Sequence, residues 1–157
     1  HGHPMAGLDK ALEDIVNGDY DIESTKRSLR AATSMREYFE MVADGEGTAK
    51  SKELGEKIVT DASSNVGLMN EFAWILLTHP RLKKPDLELA NRAAKAALDS
   101  SDGKDPSILD TYARAQFARG KIKEAVEFQK KAIALCKEEE LKPQLEKTLK
   151  EYEAKLD

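Results

Sequence analysis

Apolar residues recur every three or four positions through most of the chain, and charged residues fill many of the positions between them. This spacing predicts amphipathic helices, each with one side that another helix must cover. The pattern breaks at residues 44–47, 63–65, 79–85 and 100–104, where Gly, Pro, Ser and Asn favour turns. Ala and Leu far outnumber Val, Ile and the aromatic residues, which favours helix over strand. We therefore predict an all-α fold.

The predicted helices differ in how much of their surface is apolar. The helix over residues 66–78 is apolar almost all round, so we expect it to lie between two neighbours. The last helix carries one apolar stripe among charged residues, which suits the end of a stack. The full set of predicted helices covers residues 5–16, 21–44, 49–62, 66–78 and 87–98, two segments between residues 105 and 136, and residues 142–156.

The clearest local signals lie in the segment that begins at Asp105. Asp105 suits an N-cap and Pro106 the first position of a helix. Gly120 stands where a helix ends in the left-handed conformation, and a second apolar stripe follows it. The small residues Ala125 and Ala132 on that stripe allow two helix backbones to approach closely. We therefore predict two helices joined by a tight turn.

The order Gly120, Ala125, Ala132 resembles a tetratricopeptide repeat, a helical hairpin of about 34 residues. A shift of 35 residues superposes Ala90 on Ala125 and Ala97 on Ala132. The resemblance implies a TPR-like domain over residues 21–157, a stack of antiparallel helical hairpins with a C-terminal capping helix. The second hairpin lacks the Gly of the motif, and the first matches only in its second helix. The implied hairpins cover residues 22–62, 65–99 and 105–136, and the cap covers residues 142–156.

The opening segment GHPMAGLDKALEDIVNGDYD is similar to the end of a thioredoxin-like domain, where the last strand leads through a Gly-His-Pro turn into a final helix. The resemblance implies that residues 1–20 are the remnant of an upstream thioredoxin-like domain whose catalytic part precedes residue 1. It also makes the bacterial periplasm or cell envelope a candidate location, which the sequence itself leaves unknown. The alternatives are an ordinary amphipathic helix and, for His1 and His3, the remnant of an expression tag.

Composition and charge narrow the range of partners. The chain of 157 residues has a formal net charge of −4, and both signs are interspersed along most predicted helices. Because no broad basic surface results, we expect no nucleic-acid partner. No apolar run approaches the roughly 20 residues that cross a bilayer, so we expect no membrane insertion. The single cysteine, Cys136, excludes an internal disulfide and a CxxC centre.

The candidate binding residues follow from the tetratricopeptide resemblance, because the first helix of each hairpin lines the groove in that family. Carried over by position, they are Asn70, Trp74, Asp110, Thr111 and Arg114. The expected partner is a protein or peptide, and Arg114 suits an acidic segment or a C-terminal carboxylate. For Arg114 the alternative is a surface ion pair of little energetic value. For Trp74 it is a core residue whose indole N–H is bonded locally.

The sequence supports no catalytic or metal chemistry. His1, His3 and His79 have no metal-ligand spacing with one another or with Cys136. Cys136 lies at the end of an apolar stripe, so we expect it to be a small buried residue. No Gly-rich phosphate loop is present. We therefore expect no catalytic residue, no cofactor and no metal.

Three functional interpretations follow, and we prefer the first. It is a non-catalytic protein-interaction or scaffolding module, the C-terminal appendage of a thioredoxin-like protein. In the second, the helical array contributes directly to the active site of a thiol-disulfide oxidoreductase. In the third, the chain is a structural oligomerisation module, in which residues 5–16 cover an apolar patch on a neighbouring copy.

Overall fold

The computed structural model describes residues 15–18, 21–43, 45 and 47–156. This part of the chain holds seven complete helices and no strand, so the predicted all-α class is confirmed. Residues 15–17 are helical as well. The rest of the predicted helix over residues 5–16, and most of the thioredoxin-like segment, lie outside the described residues. The helices are α1 Ile22–Val42, α2 Ala49–Asp61, α3 Val66–Thr78, α4 Leu87–Ser100, α5 Pro106–Ala118, α6 Ile122–Leu135 and α7 Lys142–Glu153.

Five of these helices begin at a side chain that accepts a hydrogen bond from a free backbone N–H of the first turn. Thr48 and Ser51 form a reciprocal capping box at the start of α2. The other four helices, α1, α3, α4 and α5, have acidic or amide caps. A cap of this kind stabilises a helix by about 1 kcal/mol, which explains why the predicted starts agree with the structure. The four caps are Asp21, Asn65, Asp86 and Asp105.

The helices pack in sequential pairs, α1 with α2, α3 with α4 and α5 with α6, and α7 packs on α6. Helices α1, α3 and α5 also contact one another in that order, and α4 contacts both α2 and α5. Because short connections join the members of each pair, these members run in opposite directions. The first helices of the three pairs therefore lie side by side, and this neighbourhood forms the candidate site.

Small residues lie where these helices meet. Ala125 and Ala132 on α6 are fully buried, as the sequence predicts for closely approaching helices, and so is Ala113 on α5. Helix α4 buries an alanine stripe in the same way, because its side chains leave room for neighbours on two sides. This stripe consists of Ala90, Ala93, Ala94 and Ala97.

Gly55 marks a second close approach, between α2 and α4. A Cβ atom added at Gly55 would lie 2.5 Å from Cδ2 of Leu89 and 3.1 Å from Cε2 of Tyr38. Leu89 and Tyr38 are both buried, and the ring of Tyr38 packs edge-on against Phe72 with centroids 5.5 Å apart. A side chain at position 55 would therefore press on the core shared by α1, α2, α3 and α4.

Candidate functional site

Helices α3, α5 and α7 enclose a cleft of about 200 Å³, which we call the α3/α5 cleft. Four of the five residues predicted from the sequence line it: Asn70 and Trp74 from α3, and Asp110 and Thr111 from α5. Arg114, the fifth, lies beside them over the ring of Trp74. The remaining lining residues are Ser107 from the start of α5, Leu141 just before α7, and Gln144 and Leu145 from α7.

Helical spacing explains why these side chains share one cleft. Asn70 and Trp74 are four residues apart on α3, and Asp110 and Arg114 are four residues apart on α5, so each pair lies on one side of its helix. The contact between α3 and α5 then brings the two pairs together. Residues more than 30 positions apart in the sequence thereby form one surface.

Arg114 and Trp74 contact each other directly. The guanidinium carbon of Arg114 lies 5.0 Å from the ring centroid of Trp74, a distance typical of a cation–π contact. Trp74 is half-buried, and so is Arg114. The face of the indole therefore holds the cation at the cleft.

Asp110 connects three helices through a buried amide. Its Oδ1 accepts a 2.8 Å hydrogen bond from Nε2 of Gln129 on α6, and the same nitrogen donates to the backbone oxygen of Leu145 on α7 at 3.1 Å. Burial raises the pKa of the Asp110 carboxyl, although the bond from Gln129 and the charge of Arg114 act in the opposite direction. At the floor of the cleft, these two hydrogen bonds of Gln129 therefore join α5, α6 and α7, where the surrounding contacts are mostly apolar.

Gln129 is a residue of the site that the sequence pattern did not indicate. It is fully buried between Ala125 and Ala132 on the stripe that packs against α5. Burying an amide on an apolar stripe costs free energy unless the amide is hydrogen-bonded. The place of Gln129 on this stripe was therefore the one sign in the sequence that it makes a buried hydrogen bond.

Thr111 is 1% exposed, and its hydroxyl donates to the backbone oxygen of Ser107 at 3.0 Å. Its polar group is therefore already bonded within α5. Thr111 shapes the wall of the cleft, whereas Asn70 and Arg114 each carry a buried polar atom that has no hydrogen-bond partner among the described residues.

Several buried polar atoms around the cleft have no hydrogen-bond partner in the described part of the chain. They are Oδ1 of Asn70, Nε of Arg114, Oε1 of Gln129 and the hydroxyl of Tyr152. Burial raises the pKa of Tyr152 to about 12, so its hydroxyl stays protonated at neutral pH. Asn70 offers a hydrogen-bond acceptor and Arg114 a donor. Each of these buried groups carries a desolvation penalty until it forms a hydrogen bond.

A second depression, the α1/α3 groove, lies on the other side of α3 and has a volume of about 310 Å³. Phe39 of α1 lies edge-on to the ring of His79 with centroids 4.4 Å apart, at one end of this groove. Ile75 lines the groove, whereas its neighbour Trp74 lines the α3/α5 cleft, so α3 borders both depressions. Most of the groove is apolar, and its other lining residues are Ala32, Met35, Arg36, Tyr38, Glu71, Phe72 and Leu76.

A third cleft, of about 380 Å³, lies between the start of α2 and the connection from α3 to α4. Lys52, Lys84, Asp86 and Glu88 line it with both signs of charge, and Asp86 already caps α4. None of the five predicted residues lies in it. We therefore base the site on the α3/α5 cleft.

Cys136 follows α6 and is 9% exposed, which confirms the prediction of a small buried residue. Its thiol donates to the backbone oxygen of Glu138 at 3.4 Å. Across the described ranges, no three His, Cys, Asp or Glu side chains are grouped so that they could hold a metal ion. Nor does that part of the chain include a helix with the length and apolar character needed to cross a membrane.

Comparison of the chain with protein-family models, with curated proteins and with solved structures yields no match. The tetratricopeptide and thioredoxin-like resemblances therefore stay predictions that rest on the residues themselves.

Proposed function

We propose that this chain is a non-catalytic protein-interaction module of the tetratricopeptide type, which binds a segment of a partner protein in the α3/α5 cleft. One observation carries the proposal. Five residues chosen from the sequence as groove-facing come together around a single cleft, although they belong to two helices that are separate in the sequence. If these five residues served only to fill the core, polar side chains would not be needed at their positions.

The chemistry of the cleft indicates what a partner segment would supply. The charge of Arg114, held on the face of Trp74, favours an acidic side chain or a C-terminal carboxylate. Oδ1 of Asn70 accepts a hydrogen bond, which the backbone N–H of an extended segment would donate. The indole adds apolar area, and Trp and Arg are the side chains that most often dominate binding energy at interfaces.

The proposal extends to the arrangement of the helices. The contacts among α1, α3 and α5, and those of α4 with its neighbours, support a stack of three helical hairpins capped by α7. In such a stack the first helices form one continuous surface, so a partner segment that enters the α3/α5 cleft would run on towards the α1/α3 groove. We infer that the module positions an upstream thioredoxin-like domain on a client or assembly.

The oxidoreductase alternative lacks a supporting observation. Cys136 is buried, and it lies at the end of α6, outside the residues that line the α3/α5 cleft. A nucleophilic thiol needs access to its substrate. In an insulin-reduction assay on this chain we expect no turnover, and turnover that disappears in Cys136→Ser would favour the alternative.

The proposal is tested with a peptide selected from a random display library on the immobilised 157-residue chain. Binding of the labelled peptide is then measured by fluorescence anisotropy against the parent and two arginine variants. Arg114→Gln removes the charge from the cleft, so we expect affinity to fall roughly tenfold or more, about 1.4 kcal/mol. Arg92→Gln is the matched control, because Arg92 lies exposed on α4 and pairs with Glu56.

The control should bind the peptide as the parent does. Equal affinity of all three proteins would place the peptide elsewhere and contradict the proposal. A library that yields no binding peptide would also count against it.

A further inference from the structure

Among the described residues that line the α3/α5 cleft, Asp110 is the only one with a carboxyl group. It is 8% exposed, and its Oδ1 accepts a hydrogen bond from Nε2 of Gln129. Because Oδ1 already accepts this bond, a proton on the carboxyl belongs on Oδ2. Asp110 can therefore gain or lose a proton without losing its bond to Gln129.

The charge of Arg114 acts on this carboxyl. The two residues are four positions apart on α5, a spacing that places their Cβ atoms about 5–6 Å apart. Burial has the largest effect and raises the pKa of Asp110, whereas the bond from Gln129 and the Arg114 guanidinium favour the carboxylate and lower it. The protonation of Asp110 therefore depends on whether the charge of Arg114 is neutralised.

The other side chains that α3, α6 and α7 present around Asp110 are neutral. On α7, burial raises the pKa of Tyr152 to about 12, so its hydroxyl keeps its proton. Glu71 of α3 lines the α1/α3 groove, on the other side of that helix. Arg114 is thus the charge in the described part of the chain to which Asp110 responds. The remaining neighbours are Asn70, Trp74, Gln129 and Gln144.

A partner carboxylate bound at Arg114 changes this balance. Nε of Arg114 is buried and has no hydrogen-bond partner among the described residues, so it is the donor that such a carboxylate would accept from. The bound anion cancels the charge that favours the ionised form of Asp110 and adds a second negative charge beside it. Two carboxylates that share a site do not both ionise readily, so the pKa of Asp110 rises further on binding.

We propose that the α3/α5 cleft binds an acidic partner segment together with one proton, which Asp110 takes up from solvent. In the complex Oδ2 of Asp110 donates to the bound carboxylate, while Oδ1 still accepts from Gln129. This inference rests on the proposed function and adds the protonation state in which the cleft binds its partner.

The sign of the pH dependence follows from linkage. Asp110 has a higher pKa in the complex than in the free chain, so between these two values binding requires the uptake of a proton. The affinity therefore falls as the pH rises, by up to about tenfold per pH unit for one proton. A basic segment would give the opposite sign, because the ionised form of Asp110 would attract it.

The experiment measures the Kd of a peptide against pH by fluorescence anisotropy, with the full chain and with Asp110→Asn. The probe is a His-free peptide, selected from a display library on the immobilised chain, that loses affinity in Arg114→Gln. We expect the parent to lose affinity from about pH 5 to about pH 8, a range above the ordinary pKa of Asp and Glu. Asp110→Asn cannot ionise, so its Kd should stay nearly constant and lie below that of the parent at the upper end.

Asp99→Asn is the matched control, because Asp99 lies exposed on α4 and pairs with Lys95. It should keep the pH dependence of the parent. Titration calorimetry of the parent in two buffers that differ in ionisation enthalpy gives a second measure, which depends on no variant. We expect it to show net proton uptake, of up to about one proton per peptide.

Three results would overturn the inference and leave peptide binding at Arg114 intact. They are equal pH dependence in the parent and in Asp110→Asn, an affinity of the parent that rises with pH, and binding without proton uptake. If every selected peptide bound equally well to Arg114→Gln, the proposed function itself would be contradicted, and this inference with it.

Discussion

The guanidinium carbon of Arg114 on α5 lies 5.0 Å from the ring centroid of Trp74 on α3. The spacing of apolar residues along either helix does not reveal this contact. The tetratricopeptide resemblance implied that both residues face a groove, and the alternatives were a core role for Trp74 and a surface ion pair for Arg114. The structure shows a half-buried indole with the guanidinium on its face. At the scale of the residue, helical position was predictable, whereas the partner of each side chain depended on tertiary packing.

The carboxyl of Asp110 gives a test by pH. Because burial raises its pKa, the folded chain holds this proton to a higher pH than the unfolded chain does. The contribution of Asp110 to stability therefore declines as the pH rises from the ordinary value of the carboxyl through the raised one.

Asp110→Asn keeps an oxygen for Nε2 of Gln129 but does not ionise. We expect the stability of this variant relative to the parent to increase as the pH rises above about pH 4, the ordinary pKa of the carboxyl, measured from urea unfolding midpoints at a series of pH values. A difference between the two proteins that stays constant across this range would contradict the assignment of Asp110 as a buried carboxyl with a raised pKa.

Gly55 gives a second test at the residue scale. Gly55→Ala brings a Cβ to 2.5 Å from buried Leu89, and such overpacking costs about 1–3 kcal/mol, against roughly 1 kcal/mol gained from helix propensity. We therefore expect a net loss of up to about 2 kcal/mol in the free energy of unfolding.

The matched control for Gly55 is Gly67→Ala, where the nearest atom to a new Cβ lies 3.7 Å away. It should be neutral or stabilising in the same chemical denaturation. If both alanine variants gained stability, the close contact between α2 and α4 would be refuted.

At the scale of the element, the starts of helices were more predictable than their ends. Asp21, Thr48, Asn65, Asp86 and Asp105 cap the helices whose starts the sequence predicted. The ends depend on where packing stops. Helix α4 continues to Ser100 rather than Leu98, and α7 ends at Glu153, before the exposed Leu156.

Small residues between α5 and α6 give a test at this scale. Ala125 and Ala132 are fully buried, so a leucine at either position would force the pair apart at a cost of about 1–3 kcal/mol. Ala134→Leu is the matched control, because Ala134 lies exposed on the same helix and most surface changes stay within about 0.5 kcal/mol.

Thermal melts of the three variants check this expectation. Ala125→Leu and Ala132→Leu should melt below the parent, and Ala134→Leu should melt with it. Melting curves that coincide with the parent in all three cases would show that the two helices do not pack through these alanines.

For the whole molecule, helical class and helix order followed from periodicity and turn residues, and both agree with the structure. The helical pairs were implied by the tetratricopeptide resemblance and the 35-residue shift, and in the structure the two helices of each pair contact each other. The sequence did not indicate the α1/α3 groove, or the link from Gln129 to Asp110 and Leu145, because these join elements that only packing brings together.

The central claim, that a partner segment enters the α3/α5 cleft, has a direct reporter, since Trp74 is the only tryptophan of the chain and lies in the cleft. A selected peptide without tryptophan is titrated into the chain while the emission of Trp74 is recorded. We predict a saturable change in the emission of Trp74, with a Kd equal to the one measured by anisotropy. Binding by anisotropy that leaves the emission of Trp74 unchanged would contradict it.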